Sequence, residues 1–272
     1  MKKYKLGFIG CGNMAKAIAD SLVNEDNRSF MKKGYKLKLS LFGYDVDRMK
    51  VENMDGLTAV YDAQALVNAS DIVVLSVKPQ NAAEALHGLD FTNKIVLSIM
   101  AGVSLQTLRD YTQCDKIIRV MPNLNARVQS AFNGYCTVGL NQEEEGIIQA
   151  ILDSFGESVR VKESDMNAVT GIAGSGPAFV FMFAKAFIDA GVKRGFEYET
   201  AKTMALETLS GSIYHIEDAE ITDIDALVDS VCSKGGTTIQ GVNYLREQGF
   251  ADIVTTAIEK AILRAEEMER NA

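Results

Sequence analysis

The chain has 272 residues, of which 47% are hydrophobic and 24% are charged. This balance is typical of a globular protein with one large core or two moderate ones. The formal net charge is -8, which argues against nucleic acid as a partner because phosphate backbones are repelled. Only two histidines occur, and this nearly excludes a histidine-based metal site or catalytic triad.

The four cysteines lack C-x-x-C spacing, which indicates reduced thiols in a cytoplasmic protein. No signal peptide is visible, because glycines interrupt the apolar stretch that follows the first lysines. The longest all-apolar run, residues 177–184, is too short to span a bilayer. The sequence therefore predicts a cytoplasmic protein with no metal and no membrane partner.

The first half of the chain alternates strand-like and helix-like segments. Strands are predicted at residues 5–9, 37–44, 72–77, 95–99 and 117–121. Helices are predicted at residues 15–23, 63–67 and 105–111, and the polar stretch 24–36 is predicted to be irregular. Continuous apolar strands that alternate with helices predict a doubly wound parallel sheet of Rossmann type, with both faces covered.

The pattern changes after about Val161, where long helical segments replace the alternation. These helices are predicted at residues 177–192, 199–216, 239–247 and 253–268. We therefore expect an α/β dinucleotide-binding domain over residues 1–163 and an all-helical domain over residues 164–272. The segment 178–184 is apolar around its whole circumference, so it needs cover on every side. A partner subunit would supply that cover in a homodimer, and the alternative is a core helix within one subunit.

A G-x-G-x-x-A motif follows the first strand. Gly10 allows the tight turn, Gly12 lets a pyrophosphate approach the backbone, and Ala15 permits close packing of helix and strand. The first N–H groups of the following helix would face the phosphates. The motif therefore predicts a dinucleotide site at the start of the sheet.

Two charged residues follow the second predicted strand and favour different dinucleotides. Asp45 is placed to accept a ribose 2'-hydroxyl and favours NAD(H). Arg48 is placed to bind a 2'-phosphate and favours NADP(H). The alternative is that both are solvated turn residues, so the two cofactors stay open here.

The three prolines mark possible site positions. Pro79 and Pro122 follow predicted parallel strands at their carboxyl ends, where ligands bind in open α/β sheets. Pro177 fits the first turn of a helix. The alternative for each proline is simple termination of a strand.

A second glycine motif, SKGGTT, covers residues 233–238 and precedes a predicted helix. Gly235 and Gly236 let the backbone curl, while Thr237 and Thr238 present hydroxyls and N–H groups at the start of the helix. This arrangement is typical of a carboxylate site. The alternative is a helix cap with a flexible lead-in.

Taken together, these residues resemble the pyrroline-5-carboxylate reductase family over essentially the whole chain. The segments that carry the resemblance are 8–14 (FIGCGNM), 77–80 (VKPQ), 101–103 (AGV), 119–123 (RVMPN), 174–178 (GSGPA) and 235–238 (GGTT). The resemblance implies reduction of 1-pyrroline-5-carboxylate to proline by hydride transfer from NADP(H), with NAD(H) as the alternative. It also implies a homodimer with interlocked helical domains that can assemble further into a ring.

The resemblance assigns the site residues as well. Ser233, Gly235, Gly236, Thr237 and Thr238 would hold the substrate carboxylate, and the Thr238 hydroxyl would contact the ring nitrogen as the catalytic group. The Met121–Asn123 turn, Lys78, Ala101 and Gly102 would border the nicotinamide and its ribose. The expected cofactor-binding residues are Gly10, Gly12, Asn13, Met14, Asp45, Arg48, Val77, Lys78, Pro79, Ala101, Gly102, Met121, Pro122 and Asn123.

The chain departs from the family pattern at two places. Lys234 replaces a proline beside the carboxylate site, which loosens the turn and adds a positive charge. Leu124 and Asn125, before Ala126, replace the first two residues of Thr-Pro-Ala, which removes a hydroxyl near the expected nicotinamide pocket. Both departures bear on the range of substrates.

Three other functions are compatible with a glycine-rich nucleotide motif. A β-hydroxyacid dehydrogenase would carry a catalytic lysine where this chain has Val180, so that class is disfavoured. A broad imine reductase is disfavoured by the carboxylate motif at residues 235–238. A non-catalytic dinucleotide sensor would explain the first glycine motif but not the second.

Overall fold

The computed structural model describes residues 2–23, 30–32, 35–218 and 223–271. The chain forms two compact units, of which the first comprises Met1–Ser175 together with Lys260–Ala272 and the second comprises Gly176–Glu259. The second unit begins at Gly176, whereas the sequence predicts that the helical domain begins at residue 164. A compact unit and a domain need not share their ends, so the boundary after Glu163 stays a prediction.

The first unit contains a sheet of nine strands within the described residues. The strands are β1 (Lys2–Ile9), β2 (Phe30–Lys32), β3 (Tyr35–Tyr44), β4 (Leu57–Ala59), β5 (Ile72–Leu75), β6 (Ile95–Ser98), β7 (Ile117–Met121), β8 (Ala131–Val138) and β9 (Gly156–Arg160). Their order is β2-β3-β1-β5-β6-β7-β8-β9, with β4 paired to β3. The neighbours β3, β1, β5, β6 and β7 are parallel, whereas β2 and β8 are antiparallel to β3 and β7. The predicted doubly wound parallel sheet is confirmed.

The chain order reverses at β1, which lies between β3 and β5. Ile9 is paired with Tyr44 on one side and with Leu75 on the other, so the three strands end at the same edge. In open α/β sheets, the crevice at such a reversal is where ligands bind. The glycine turn that begins at Gly10 follows β1 directly at this point.

Helices connect the strands and make up the second unit. They are α1 (Asn13–Val23), α2 (Arg48–Glu52), α3 (Ala63–Ala69), α4 (Ala82–Leu86), α5 (Leu105–Thr112), α6 (Gln142–Leu152), α7 (Met166–Val169), α8 (Gly176–Lys193), α9 (Tyr198–Asp218), α10 (Ile224–Ser230), α11 (Thr237–Glu247) and α12 (Phe250–Arg270). Short 3₁₀ turns cover Pro79–Asn81, Leu124–Val128 and Glu163–Asp165, and a π turn covers Thr170–Gly174. Helix α12 begins in the second unit and ends in the first.

The core covers both faces of the sheet. Successive residues of β5 alternate between two clusters: Ile72 and Val74 pack in one, and Val73 and Leu75 pack in the other. All four side chains are at most 2% exposed. This burial on both faces explains why the strand is a continuous apolar run rather than an alternating one.

Several elements differ from the sequence expectation. Strand β2 lies inside the stretch 24–36, so the prediction of irregular structure is wrong there, while residues 24–29 and 33–34 lie outside the described residues. Residues 30–32 form a strand because they pair antiparallel with β3, and a polar sequence pattern gives no sign of such pairing. Strand β8 was also missed, because Asn133 and Gly134 interrupt its apolar run. Asn133 is buried and its amide donates to Leu152 O over 3.1 Å.

The apolar run of α8 belongs to a longer helical stretch. The continuous helical stretch Glu163–Lys193, which includes α7, the π turn and α8, is long and apolar enough to cross a membrane by length and composition alone. The expectation that this apolar segment is too short to span a bilayer considered only residues 177–184, and the helical stretch that contains them is longer. Only 11% of the most apolar window is buried, and Met182 is 72% exposed. A core helix would be mostly buried, so the part of the chain that the structure describes does not cover α8.

Candidate active site

The turn after β1 is fixed by the absence of a side chain at Gly10. Gly10 has a φ of +91°, and a Cβ there would lie 2.9 Å from the carbonyl carbon of Ser76 and from Val77 N. The turn therefore lies against the end of β5 without room for a methyl group. At Gly12, by contrast, a Cβ would meet no atom within 4 Å. The backbone beside Gly12 faces open space that a ligand can enter.

Helix α1 begins at Asn13, directly after this open position. Gly12 and Asn13 are exposed and Met14 is partly buried. The first N–H groups of a helix have no partner within the helix and carry partial positive charge. The first turn of α1 therefore offers N–H donors to an anion that approaches Gly12. This geometry fits the pyrophosphate of a dinucleotide.

Ser76 is a residue of this site that the sequence reasoning missed. Its Oγ donates to Gly10 O over 2.5 Å and lies 3.1 Å from Ile9 O, so it ties the end of β5 to the glycine turn. The signal for it was a lone hydroxyl after the apolar run of β5. Cys11 supports the turn by its size: burial, followed by the charge of Asp45, raises the pKa of its thiol to about 12. Cys11 is therefore not a nucleophile at neutral pH.

The carboxylate of Asp45 is engaged within the protein. Its Oδ2 accepts the N–H of Cys11 over 2.8 Å, and its Oδ1 accepts the N–H of Asp47 over 2.9 Å. The ammonium of Lys50 lies 3.5 Å from Oδ1. Both oxygens thus have protein donors, and the side chain joins β3 to the glycine turn after β1.

Arg48 lies beyond this carboxylate at the start of α2. Its guanidinium carbon lies 4.9 Å from the centre of the Tyr61 ring, within the range of a cation–π contact. Tyr61 is 58% exposed, and Arg48 is exposed as well. Arg48 forms no salt bridge within the described residues, so its exposed guanidinium has no carboxylate partner there.

The ends of β5, β6 and β7 supply the other predicted cofactor residues of the first unit. Val77, Lys78 and Pro79 follow β5, Ala101 and Gly102 follow β6, and Met121, Pro122 and Asn123 end β7 and follow it. The strand register aligns Leu75 with Ser98 and Ser98 with Arg119, so these segments lie along one edge of the sheet. The first unit therefore brings all fourteen predicted cofactor residues to the carboxyl edge or to the turns beside it.

Asn123 fixes the turn that follows β7 at this edge of the sheet. Its Oδ1 accepts the N–H of Asn125 over 3.1 Å, and its Nδ2 donates to Ala173 O over 3.0 Å. The side chain is 6% exposed. The Pro122–Asn123 backbone is therefore fixed by partners on both sides before any ligand binds.

The second unit contains the other predicted motif, the SKGGTT turn at the start of α11. Gly235 has a φ of +74°, and the Gly236 N–H donates to Ser233 O over 2.9 Å. A Cβ at Gly236 would lie 2.2 Å from Ser233 Oγ, so the Ser233 side chain folds over this glycine. Thr237 and Thr238 are exposed in the first turn of α11, which has no side-chain cap.

The missing side-chain cap bears on the alternative interpretation of this motif, which is a helix cap with a flexible lead-in. A Ser or Thr that caps a helix accepts an N–H of the first turn with its hydroxyl. Ser233 makes no such bond, and within the described part of the chain the hydroxyls of Thr237 and Thr238 have no partner. The first turn of α11 therefore presents hydroxyls and N–H donors together, which is the donor set that a carboxylate needs.

Comparison with known proteins identifies the family. A family model described as pyrroline-5-carboxylate reductase dimerisation matches residues 163–268, and one described as NADP oxidoreductase coenzyme F420-dependent matches residues 5–102. The pyrroline-5-carboxylate reductase of Aquifex aeolicus is 36% identical over 97% of both chains. The chain belongs to the pyrroline-5-carboxylate reductase family.

Solved structures of similar proteins agree in fold. The pyrroline carboxylate reductase of Plasmodium falciparum, solved with NADP bound, matches with a TM-score of 0.88 and 30% identity over 98% of both chains. The 1-pyrroline-5-carboxylate reductase of Streptococcus pyogenes matches with a TM-score of 0.86 and 30% identity over 97% of this chain and 99% of that one. The sequence prediction of a Rossmann-type domain followed by a helical domain is confirmed within this family.

Two positions at which the chain departs from the pyrroline-5-carboxylate reductase pattern lie in exposed turns. Lys234 is exposed between Ser233 and Gly235, so its ammonium adds positive charge beside the first turn of α11. Leu124 is 39% exposed at the start of the 3₁₀ turn that follows Asn123.

Proposed function

We propose that this member of the pyrroline-5-carboxylate reductase family reduces 1-pyrroline-5-carboxylate to L-proline with NADPH. The observation that carries the proposal is the presence of two donor sites in one chain that resembles the family throughout. One is the open position at Gly12 before α1, and the other is the turn of glycines and hydroxyls before α11. A non-catalytic dinucleotide sensor would need only the first.

The cofactor fits the edge of the first unit. Gly12 and the first turn of α1 would hold the pyrophosphate, and Val77, Lys78 and Pro79 would line the path toward the nicotinamide. Ala101, Gly102 and the Met121–Asn123 turn would border the nicotinamide. NADPH supplies a hydride when it is bound in this position.

The preference for NADPH over NADH follows from Asp45 and Arg48. Both oxygens of Asp45 accept backbone N–H groups of the protein, and Lys50 lies near the carboxylate. Asp45 is therefore poorly placed to accept a ribose 2'-hydroxyl, which is what NADH would need. Arg48 keeps accessible donors for a 2'-phosphate while its guanidinium lies over the Tyr61 ring. NADH remains the weaker alternative cofactor.

The substrate carboxylate would bind at the turn before α11. Gly235, Gly236 and Thr237 would supply N–H donors, and Ser233 and Thr237 would supply hydroxyls. The Thr238 hydroxyl would donate to the ring nitrogen and is the catalytic group of the proposal. Lys234 would raise the local concentration of the anionic substrate through its positive charge.

This donor set is sufficient for the chemistry because a protonated cyclic imine is already a good hydride acceptor. The protein then has to hold the imine carbon against the hydride donor, and positioning of that kind can contribute about 7–11 kcal/mol to lowering the barrier. The Thr238 hydroxyl orients the ring and moves a proton at its nitrogen. No cluster of three or more metal-ligating side chains occurs within the described residues.

A homodimer is the proposed working unit, with a ring of dimers as a further possible assembly. The exposed apolar side chains of α8, which include Val180 at 59% and Phe181 at 55%, need cover that the described chain does not supply. The matched dimerisation model covers this region. The proposal includes a cytoplasmic location with neither nucleic acid nor membrane as a partner, so α8 is covered by protein rather than lipid.

The decisive experiment is steady-state kinetics followed by absorbance at 340 nm. Purified protein is assayed with 1-pyrroline-5-carboxylate and either NADPH or NADH, and with 1-pyrroline, which lacks the carboxylate. We expect turnover with the carboxylated imine, a higher kcat/KM with NADPH, and a kcat/KM for 1-pyrroline lower by about tenfold or more. Oxidation of neither cofactor would contradict the proposal, and equal use of both imines would indicate a broad imine reductase.

A further inference from the structure

The guanidinium of Arg119 is buried in the middle of the first unit. The side chain is 2% exposed, and its Nη1 lies 2.5 Å from Glu269 Oε1 and 3.4 Å from Glu163 Oε1. A buried charge is retained only where it is paired and hydrogen-bonded, because removal from water is costly. The pairing joins β7 to the last turn of α12, which belongs to the same compact unit.

Each carboxylate of this cluster also holds a second element. Glu269 Oε2 accepts the amide of Asn167 over 2.6 Å, and Glu163 Oε1 accepts the N–H of Leu105 over 2.6 Å. Asn167 lies in α7, and Leu105 is the first residue of α5. The cluster therefore connects β7, α12, α7 and the segment that leads from β6 into α5.

The same turn of α12 lies against the segment after β6. Gly102 has a φ of +66°, and a Cβ there would lie 2.8 Å from Met268 Cβ and 3.1 Å from Glu269 N. The backbone of Gly102 thus packs directly on the backbone next to the residue that pairs with Arg119. Arg119 itself lies two positions before Met121, at the end of β7.

We propose that Arg119 and Glu269 are positioning residues that fix the two segments bordering the nicotinamide. The last turn of α12 contacts the segment after β6 through Gly102, and it holds β7 just before Met121 through Arg119. Neither side chain is proposed to touch substrate or cofactor. The inference rests on the proposed role of Ala101, Gly102 and the Met121–Asn123 turn at the nicotinamide.

The expected consequence is specific to the hydride-transfer step. Loosening both segments would misplace the nicotinamide, and a displacement near 1 Å can cost about a hundredfold in rate. The adenine half of the cofactor would bind at Gly12 and Arg48, and neither residue has a contact with this cluster in the described part of the chain. Loss of the ion pair should therefore lower kcat and leave the binding of the adenine half unchanged.

The test compares Glu269→Gln with a matched control, Glu267→Gln, in the full-length enzyme. Glu267 lies on the same helical turn but is half exposed, and its one salt bridge among the described residues is with Arg264 on the surface. A second variant, Glu269→Ala, removes the acceptor entirely while leaving Arg119 paired with Glu163. Each protein is measured for thermal stability, for steady-state kinetics, for binding of 2',5'-ADP, and for hydrogen exchange of residues 99–104 and 119–125 without ligand.

For Glu269→Gln we expect kcat to fall by about tenfold, a change of about 1.4 kcal/mol in the barrier. The primary deuterium isotope effect on kcat should rise with deuterated NADPH, and exchange of both segments should be faster. Binding of 2',5'-ADP should be unchanged, and Glu267→Gln should behave like the wild type. Glu269→Ala should show the same pattern with a larger fall in kcat.

Two results would overturn the inference. One is a lower melting temperature with unchanged kcat per folded enzyme, which would show a purely structural ion pair. The other is weaker 2',5'-ADP binding together with the fall in kcat, which would show general distortion of the first unit. A wild type that leaves 1-pyrroline-5-carboxylate unreduced would contradict the proposed function instead, and hydrogen exchange would still decide whether Glu269 fixes the two segments.

Discussion

The backbone N–H of Cys11 donates to Oδ2 of Asp45 over 2.8 Å, which joins the glycine turn after β1 to the end of β3. Cys11 is buried, so no solvent donor or acceptor replaces this bond when it is lost. Asp45 therefore shapes the pyrophosphate turn from the neighbouring strand. This role differs from the contact with a ribose hydroxyl that its position in the sequence suggests.

We expect Asp45→Ala to weaken the binding of NADPH and the binding of NADH by the same factor. A buried N–H without an acceptor costs about 1–3 kcal/mol, so both dissociation constants should rise by about tenfold or more. Fluorescence titration with each cofactor measures the change. The control is Asp47→Ala, which removes a neighbouring carboxylate that caps α2 and does not contact the glycine turn. A loss confined to NADH would show that Asp45 binds the ribose.

Arg48→Ala should instead discriminate between the two cofactors. A hydrogen bond to a charged group contributes about 1.5–3 kcal/mol, so the KM for NADPH should rise by about tenfold or more. The KM for NADH should stay within about twofold, because NADH has no 2'-phosphate for Arg48 to bind. Steady-state kinetics with both cofactors give the ratio. An equal rise for both would assign Arg48 to the stability of α2 rather than to the phosphate.

Gly12→Val and Gly10→Ala should fail in different ways. A Cβ at Gly12 would meet no protein atom within 4 Å, so Gly12→Val should fold normally and yet block the pyrophosphate. Gly10 combines a positive φ with a Cβ position 2.9 Å from backbone atoms of Ser76 and Val77. Gly10→Ala should therefore lower the melting temperature. Calorimetry together with NADPH titration separates the two effects, and normal NADPH binding by Gly12→Val would contradict the site.

Thr238→Ala should lower turnover more than it weakens cofactor binding. Loss of one directed hydrogen bond to a charged group should cost about 1.5–3 kcal/mol, which is about one to two decades in kcat. Thr238→Ser keeps the hydroxyl and serves as the control, with activity close to that of the wild type. Full turnover by Thr238→Ala would show that residues 233–238 only begin the helix and have no catalytic role.

Met182→Glu should disrupt the dimer. The side chain is 72% exposed on α8, and a charge there would be buried without a partner if a second subunit covers the helix. Sedimentation velocity should show a shift toward monomer with loss of activity. The matched control is Met49→Glu, because Met49 is 61% exposed in the first unit, outside the matched dimerisation region. An unchanged dimer for Met182→Glu would place the interface elsewhere.

Local sequence patterns determined the glycine turn and the five central strands, which are β1, β3, β5, β6 and β7. Strand β5 is apolar on both faces because both faces are buried, and this requirement is visible in a run of four residues. Gly10 is equally local, because its positive φ and its close approach to β5 leave room only for glycine. The long helices α8, α9, α11 and α12 were also predicted, with ends that differ by a few residues, whereas the short helix α10 was not.

The tertiary structure alone decided which partners the polar side chains have. In the sequence, Asp45 and Arg48 left the choice of dinucleotide open, and only the fold shows that the Asp45 carboxylate accepts the N–H of Cys11. Arg119 looked like part of a motif, and its pairing with Glu269 joins residues 150 positions apart. Hydrophobic burial leaves a periodic trace along the chain, whereas a single long-range hydrogen bond leaves none. The continuous apolar strands were therefore readable in advance, whereas β2, β4, β8 and β9, and the contacts that hold the site, were not.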